Sequence, residues 1–131
     1  MIHGSCCCGA VKFSLSKDPI FLAICHCSRC RKLGCSEFFM VRKDAFSWVS
    51  GRDAVAEYVP EKPYKYKRCF CKRCGSSLGE ILSTDEEFPL SANSLDSDPE
   101  IKVWFHEHVA SKPSWQLVHQ EAKRFEGDPR K

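Results

Sequence analysis

The sequence predicts an all-β fold of mainly antiparallel strands with a few short helical turns. Three observations carry that expectation. Short apolar stretches recur between turn residues, and Ala10–Leu15 alternates apolar with polar side chains. Cysteine pairs far apart in the chain are also spaced so that a shared metal would close the sheet system.

In chain order, Ala10–Leu15 sets Val11, Phe13 and Leu15 against Lys12 and Ser14, the pattern of a half-buried strand. Asp18-Pro19 turns the chain, and Ile20–Ile24 is a short apolar strand that delivers Cys25. Ser28–Leu33 opens on a capping residue, ends basic and meets Gly34, which predicts one helical turn. Its leading amides would favour the thiolate form of Cys27 or Cys30. Glu37–Arg42 and Phe46–Ser50 read as strands around a Lys43-Asp44 turn, with Gly51-Arg52-Asp53 as the next turn. Ala54–Val59 and Tyr64–Phe70 pair around Pro60-Glu61-Lys62-Pro63, and the second strand runs into Cys71. Ser77–Leu82, Phe88–Ala92 and Ile101–His106 complete the strands. Asn93–Pro99 is expected as a surface loop and Glu126–Lys131 as a solvated tail. With no repeat, low-complexity tract or internal boundary, residues 1–131 read as a single domain.

The chain has 131 residues, 43% hydrophobic and 28% charged, the balance of an ordinary soluble protein. No apolar run is long enough to span a membrane, and Met1-Ile2-His3-Gly4 does not open a signal peptide. A reducing, cytoplasmic location is therefore expected. The net charge of +3 is too mild to imply nucleic acid as a partner. The sequence assigns no oligomeric state.

The chemistry sits in ten cysteines. Cys25-His26-Cys27-Ser28-Arg29-Cys30 places three thiols within six positions, and thiolates are soft, anionic ligands suited to Zn2+. Cys6 and Cys8 give a C-x-C hook, and Cys71 and Cys74 a C-x2-C hook. Each hook is followed by a glycine, Gly9 or Gly75, that permits a sharp turn. The simplest assignment is a closed zinc site at Cys6, Cys8, Cys71 and Cys74, with a separate three-sulfur site at Cys25, Cys27 and Cys30. A structural zinc is closed by four protein ligands, whereas a catalytic one keeps a position open. A structural zinc of this kind contributes on the order of 10 kcal/mol to folding. A disulfide framework is the competing reading, but clustered cysteines in a reducing compartment favour metal, and C-x-C pairs are poor geometry for bridging each other.

Together these residues resemble the glutathione-dependent formaldehyde-activating enzyme family, which includes centromere protein V and has an Mss4-like, zinc-stabilised β fold. The resemblance is carried by residues 4–11, 25–31 and 70–75, each built on a cysteine motif, with weaker likeness at residues 106–115 and 125–127. It implies structural zinc at Cys6, Cys8, Cys71 and Cys74, and a catalytic zinc at Cys25, Cys27 and Cys30. It also implies a carbon–sulfur lyase acting on a glutathione–formaldehyde adduct, S-hydroxymethylglutathione, or on a similar thiol–aldehyde adduct. The sequence departs from the family at Glu107 and His108, where apolar residues are usual, and in the order of Pro113-Ser114.

Several residues carry two readings. Arg29, Arg31 and Lys32 can offset the charge of three thiolates or grip glutathione's carboxylates, or they can form a solvated basic turn. The trio itself can be a second stabilising site completed by Cys35, a histidine or a partner chain. His26 is either an acid–base group or a local hydrogen-bond partner. His106 and His108 are expected on one strand face opposite Glu107, exposed at a strand end or turned to a pocket. Trp104, Phe105 and Trp115 are expected in the core or a pocket wall, and Cys7 and Cys69 as small apolar fillers. The alternative function is a noncatalytic zinc module that binds a protein or nucleic acid.

Overall fold

The computed structural model describes residues 1–130, and its strands fall into three sheets. The first holds β1 (Ile2–Ser5), β2 (Lys12–Leu15) and β5 (Phe46–Ser50) in the order β1-β2-β5. The second holds β3 (Phe21–Cys25), β4 (Glu37–Arg42), β9 (Glu87–Ser91), β10 (Val103–Glu107) and β11 (Lys123–Arg124), in the order β11-β10-β3-β4-β9. The third holds β6 (Val55–Tyr58), β7 (Arg68–Cys71) and β8 (Ser77–Gly79). One short helix, α1 (Ser28–Lys32), follows β3 directly. The fold is all-β, as expected.

The alternation read from Val11 to Leu15 is the core. Val11, Phe13 and Leu15 are buried with Phe39, Val41, Leu78, Ile81, Phe88 and Leu90, and Cys6, Cys69 and Cys71 belong to the same cluster. Such side chains contribute about 1.5–3 kcal/mol each when taken fully out of water. Gly4 lies opposite Phe13 in the β1–β2 ladder, and a Cβ there would run into the Phe13 ring. The bare glycine backbone is what leaves room for the far edge of that ring against β1.

The pairing is mainly antiparallel, as expected, with β10 running parallel to both β3 and β11, and three expectations of detail change. Residues 93–99 form no free loop. Leu95 bridges Gly4, Asp96 donates its amide to the His3 carbonyl, and Ser94 is buried, so the chain returns across the molecule before β10 begins. The strand expected over Tyr64–Phe70 is only Arg68–Cys71, because β6 is fully paired by those four residues. Pro60 and Pro63 also deprive the preceding segment of amide donors. The tail is not simply solvated either. Glu126 and Gly127 accept amides from Ala110 and His108, and Arg130 reaches the Tyr66 hydroxyl. Among the described residues, no helix is long and apolar enough to cross a membrane.

Candidate functional site

Two clusters of sulfur form where strands end. Cys6 and Cys8 lie in the turn leaving β1, Cys71 closes β7, and Cys74 follows in the next turn. Their four sulfurs lie within 4.8 Å of one another, joining the first sheet to the third. The two turns are built alike. Gly9 and Gly75 both take φ 78, a region open to glycine at no steric cost, and their amides bond back to the Cys6 and Cys71 carbonyls. Backbone amides also aim at the sulfurs, Val11 N at Cys6 Sγ (3.2 Å) and Arg73 N at Cys71 Sγ (3.4 Å). The Ser76 hydroxyl and amide, with the Cys8 amide, draw Cys74 down to about 5. Donors converging on sulfur favour thiolates, the form that binds metal.

The second cluster sits at the end of the middle strand of the five-stranded sheet. Cys25 ends β3, Cys27 caps α1 by accepting the Cys30 amide at 3.3 Å, and Cys30 lies within the helix. Their sulfurs also lie within 4.8 Å of one another. Cys25 and Cys30 are buried, whereas Cys27 is half-buried and forms the open side. Hydrogen bonds from the Cys25 and Cys30 thiols pull Cys27 down to about 2, and sharing with Cys27 and Cys30 pushes Cys25 up. The two clusters differ in number. Among the described residues, no further cysteine, histidine or carboxylate joins the trio at the same mutual distance. Cys35 is buried nearby but lies outside it, held up by burial. All ten cysteines are free thiols.

The cation hydrogen-bonded to the trio is one the sequence reading passed over. Arg68 Nη2 donates to Cys30 Sγ at 3.1 Å, and its Nη1 meets Glu80 Oε2 at 3.5 Å. Arg68 reads as a strand residue, and Cys30 lies 38 positions away, so only the tertiary structure reveals the contact. Arg31 and Lys32 are exposed on α1. Arg29 instead lies 3.8 Å over the Tyr64 ring and bonds the Tyr58 hydroxyl.

The histidines are arranged otherwise than expected. His106 and His108 do not share a strand face, because the chain leaves β10 after Glu107 and His108 adopts φ 54. His106 is fully buried, with Nδ1 2.7 Å from His26 Nε2 and Nε2 accepting the His119 amide. Burial, with His26 and His119 beside it, lowers His106 to about 4. His26 therefore bonds a strand distant in sequence rather than its own neighbourhood. Glu107 pairs with Cys25 across the parallel ladder, and its carboxyl, raised by burial, shares a hydrogen bond with the Cys25 thiol. Trp104 and Trp115 are 51% and 69% exposed, so neither is core. Cys69 is the buried filler expected, but Cys7 is exposed.

An all-β scaffold with a four-sulfur and a three-sulfur cluster defines a small protein with two cysteine groups that could each hold a metal ion. The model of the glutathione-dependent formaldehyde-activating enzyme family matches residues 1–110, and the chain belongs to that family, a family of enzymes. A Halomonas elongata protein provisionally named a glutathione-dependent formaldehyde-activating enzyme is 32% identical, covering 98% of this chain and 89% of that one. An uncharacterised lyase of Schizosaccharomyces pombe is 35% identical over 58% of this chain and 54% of its own. A crystal structure of a Rhodobacter sphaeroides protein matches the fold with a TM-score of 0.60, at 24% identity over 74% of this chain and 91% of that one.

Proposed function

We propose that this enzyme is a zinc-dependent carbon–sulfur lyase of the cytoplasm, acting on the adduct of glutathione and formaldehyde or on a closely similar thiol–aldehyde adduct. Cys6, Cys8, Cys71 and Cys74 hold a structural zinc, and Cys25, Cys27 and Cys30 hold a second zinc at the reacting centre. The observation that carries this reading is the unequal ligand count, four sulfurs in one cluster and three in the other. Both donor sets suit the metal, since each is all cysteine, tightly grouped and approached by hydrogen-bond donors. Zinc at the trio supplies a Lewis acid for an aldehyde oxygen and an electrophilic anchor for sulfur.

The chain's own residues provide the setting. Burial of Cys25 and Cys30 leaves the Cys27 side as the approach for substrate. In the synthetic direction, the glutathione sulfur forms a bond to the aldehyde carbon, the carbonyl electron pair moves to oxygen, and that oxygen takes the proton released by the thiol. In the lyase direction the carbonyl reforms as the carbon–sulfur bond breaks with its electrons on sulfur, and the proton lost by the hydroxyl ends on that sulfur as the thiol. Arg29, Arg31 and Lys32 on α1 provide positive charge for the carboxylates of glutathione. The test compares hydroxymethylglutathione formation by the zinc-loaded chain and by a folded Cys27→Ser variant. Loss of the rate above the spontaneous background is expected, and equal rates would remove the reading.

A further inference from the structure

Arg68 is a half-buried cation with two arms pointing at two different partners. Its side chain is 17% exposed and that of Glu80 14%. The arm on Cys30 Sγ spans 3.1 Å, short for a bond to an atom as large as sulfur, whereas the arm on Glu80 Oε2 spans 3.5 Å, long for a bond to oxygen. The geometry thus favours the sulfur, and the carboxylate holds the far side of the guanidinium. Tyr66, 5.8 Å from the guanidinium carbon, packs beside it. The other basic residues near the trio are directed elsewhere, Arg29 at Tyr64 and Tyr58, with Arg31 and Lys32 exposed.

A guanidinium drawn this far out of water is costly unless it compensates negative charge. Three thiolates around a dication carry a net charge of −1, and a substrate thiol that arrives as its anion brings the centre to −2. Each stage adds negative charge beside Arg68. We infer that Arg68 is a positioning residue of the three-cysteine centre: oriented by Glu80 and bonded to Cys30, it supplies the fixed positive charge that lets the centre hold its metal and accept an anionic thiol. This rests on the reading that the trio holds zinc. A lysine there would keep the charge but not the two-armed fork.

The test uses the full chain as wild type, Arg68→Lys, Arg68→Met and the double variant Arg68→Met/Glu80→Gln, which leaves no lone half-buried charge. Three quantities are read: affinity of the weaker zinc site by chelator competition, the sulfur-to-metal charge-transfer band after cobalt loading, and KM for glutathione against kcat. In Arg68→Met and in the double variant, zinc affinity at the weaker site should fall about ten- to a hundredfold. The cobalt band should shift, and KM should rise more than kcat falls, with Arg68→Lys nearer to wild type. A folded double variant with wild-type affinity and an unshifted band would overturn the inference, since Arg68 would then serve only Glu80. That holds even if Arg68→Met alone fails to fold. Failure of the underlying reading is separately visible, because a wild-type chain with a single zinc site overturns both.

Discussion

His26 and His106, 80 residues apart, meet Nε2 to Nδ1 at 2.7 Å inside the protein. The His119 amide donates to His106 Nε2, so the His106 proton sits on Nδ1 and points at His26 Nε2. His26 is thus held from the neighbouring strand while its flanking residues, Cys25 and Cys27, belong to the sulfur trio.

Acid should loosen this arrangement. His106 titrates near 4 when folded against 6.5 ordinarily, with His26, His119 and Arg124 the groups that act on it besides burial. Between those values the unfolded chain binds the proton and the folded chain does not, so stability falls as pH drops from about 6.5 toward 4 and is complete above that window. Denaturant midpoints measured across this range should decline with acid, and His106→Gln should flatten the slope while lowering stability overall. An equally steep slope in the variant would assign the acid sensitivity elsewhere.

Gly4→Ala should destabilise the fold by about 1–3 kcal/mol, because its Cβ meets the buried Phe13 ring. Equilibrium unfolding measures it. An unchanged midpoint would mean that β1 and Phe13 move apart freely.

Gly75→Ala tests the turn of the second hook by itself, since a Cβ there has open space and the cost is only that of φ 78. About 1–2 kcal/mol of stability should be lost, with Gly75→Asn milder. If the proposed zinc sits there, the losses should shrink once a strong chelator has stripped it, because the hook then no longer has to close. Identical losses with and without metal would separate the glycine from the site.

Arg29→Ala removes the guanidinium from Tyr64 and Tyr58. A stability change below about 1 kcal/mol is expected, together with a higher KM for glutathione and little change in kcat. Steady-state kinetics on the zinc-loaded enzyme decide it, and an unaltered KM would return Arg29 to a purely structural role.

Much of this protein is legible along the chain because its strongest signals are local. Val11, Phe13 and Leu15 alternate, the hooks at Cys6 and Cys71 end in glycines of identical φ, and the helical turn before Gly34 forms as expected, although its cap is Cys27 and not Ser28. What escaped reading depends on distant neighbours. β1 carries Gly4 where a side chain would mark a strand, and its register makes sense only with Phe13 over it. The parallel placing of β10 follows from how residues 93–99 return along β1. His106 looked like an exposed strand end because its partners are His26 and His119, and Arg68 looked like an ordinary strand residue because its partner is Cys30.

The difference between the two sulfur clusters is tested most directly by zinc content. Wild type and Cys27→Ser are dialysed against a weak chelator, with and without glutathione, and the metal per chain is counted. Wild type should carry two zinc ions, one of them lost to the chelator unless glutathione is present, while Cys27→Ser keeps one throughout. A single zinc in the wild type, or two equally retained in both proteins, would contradict a four-sulfur site that is closed and a three-sulfur site that is open.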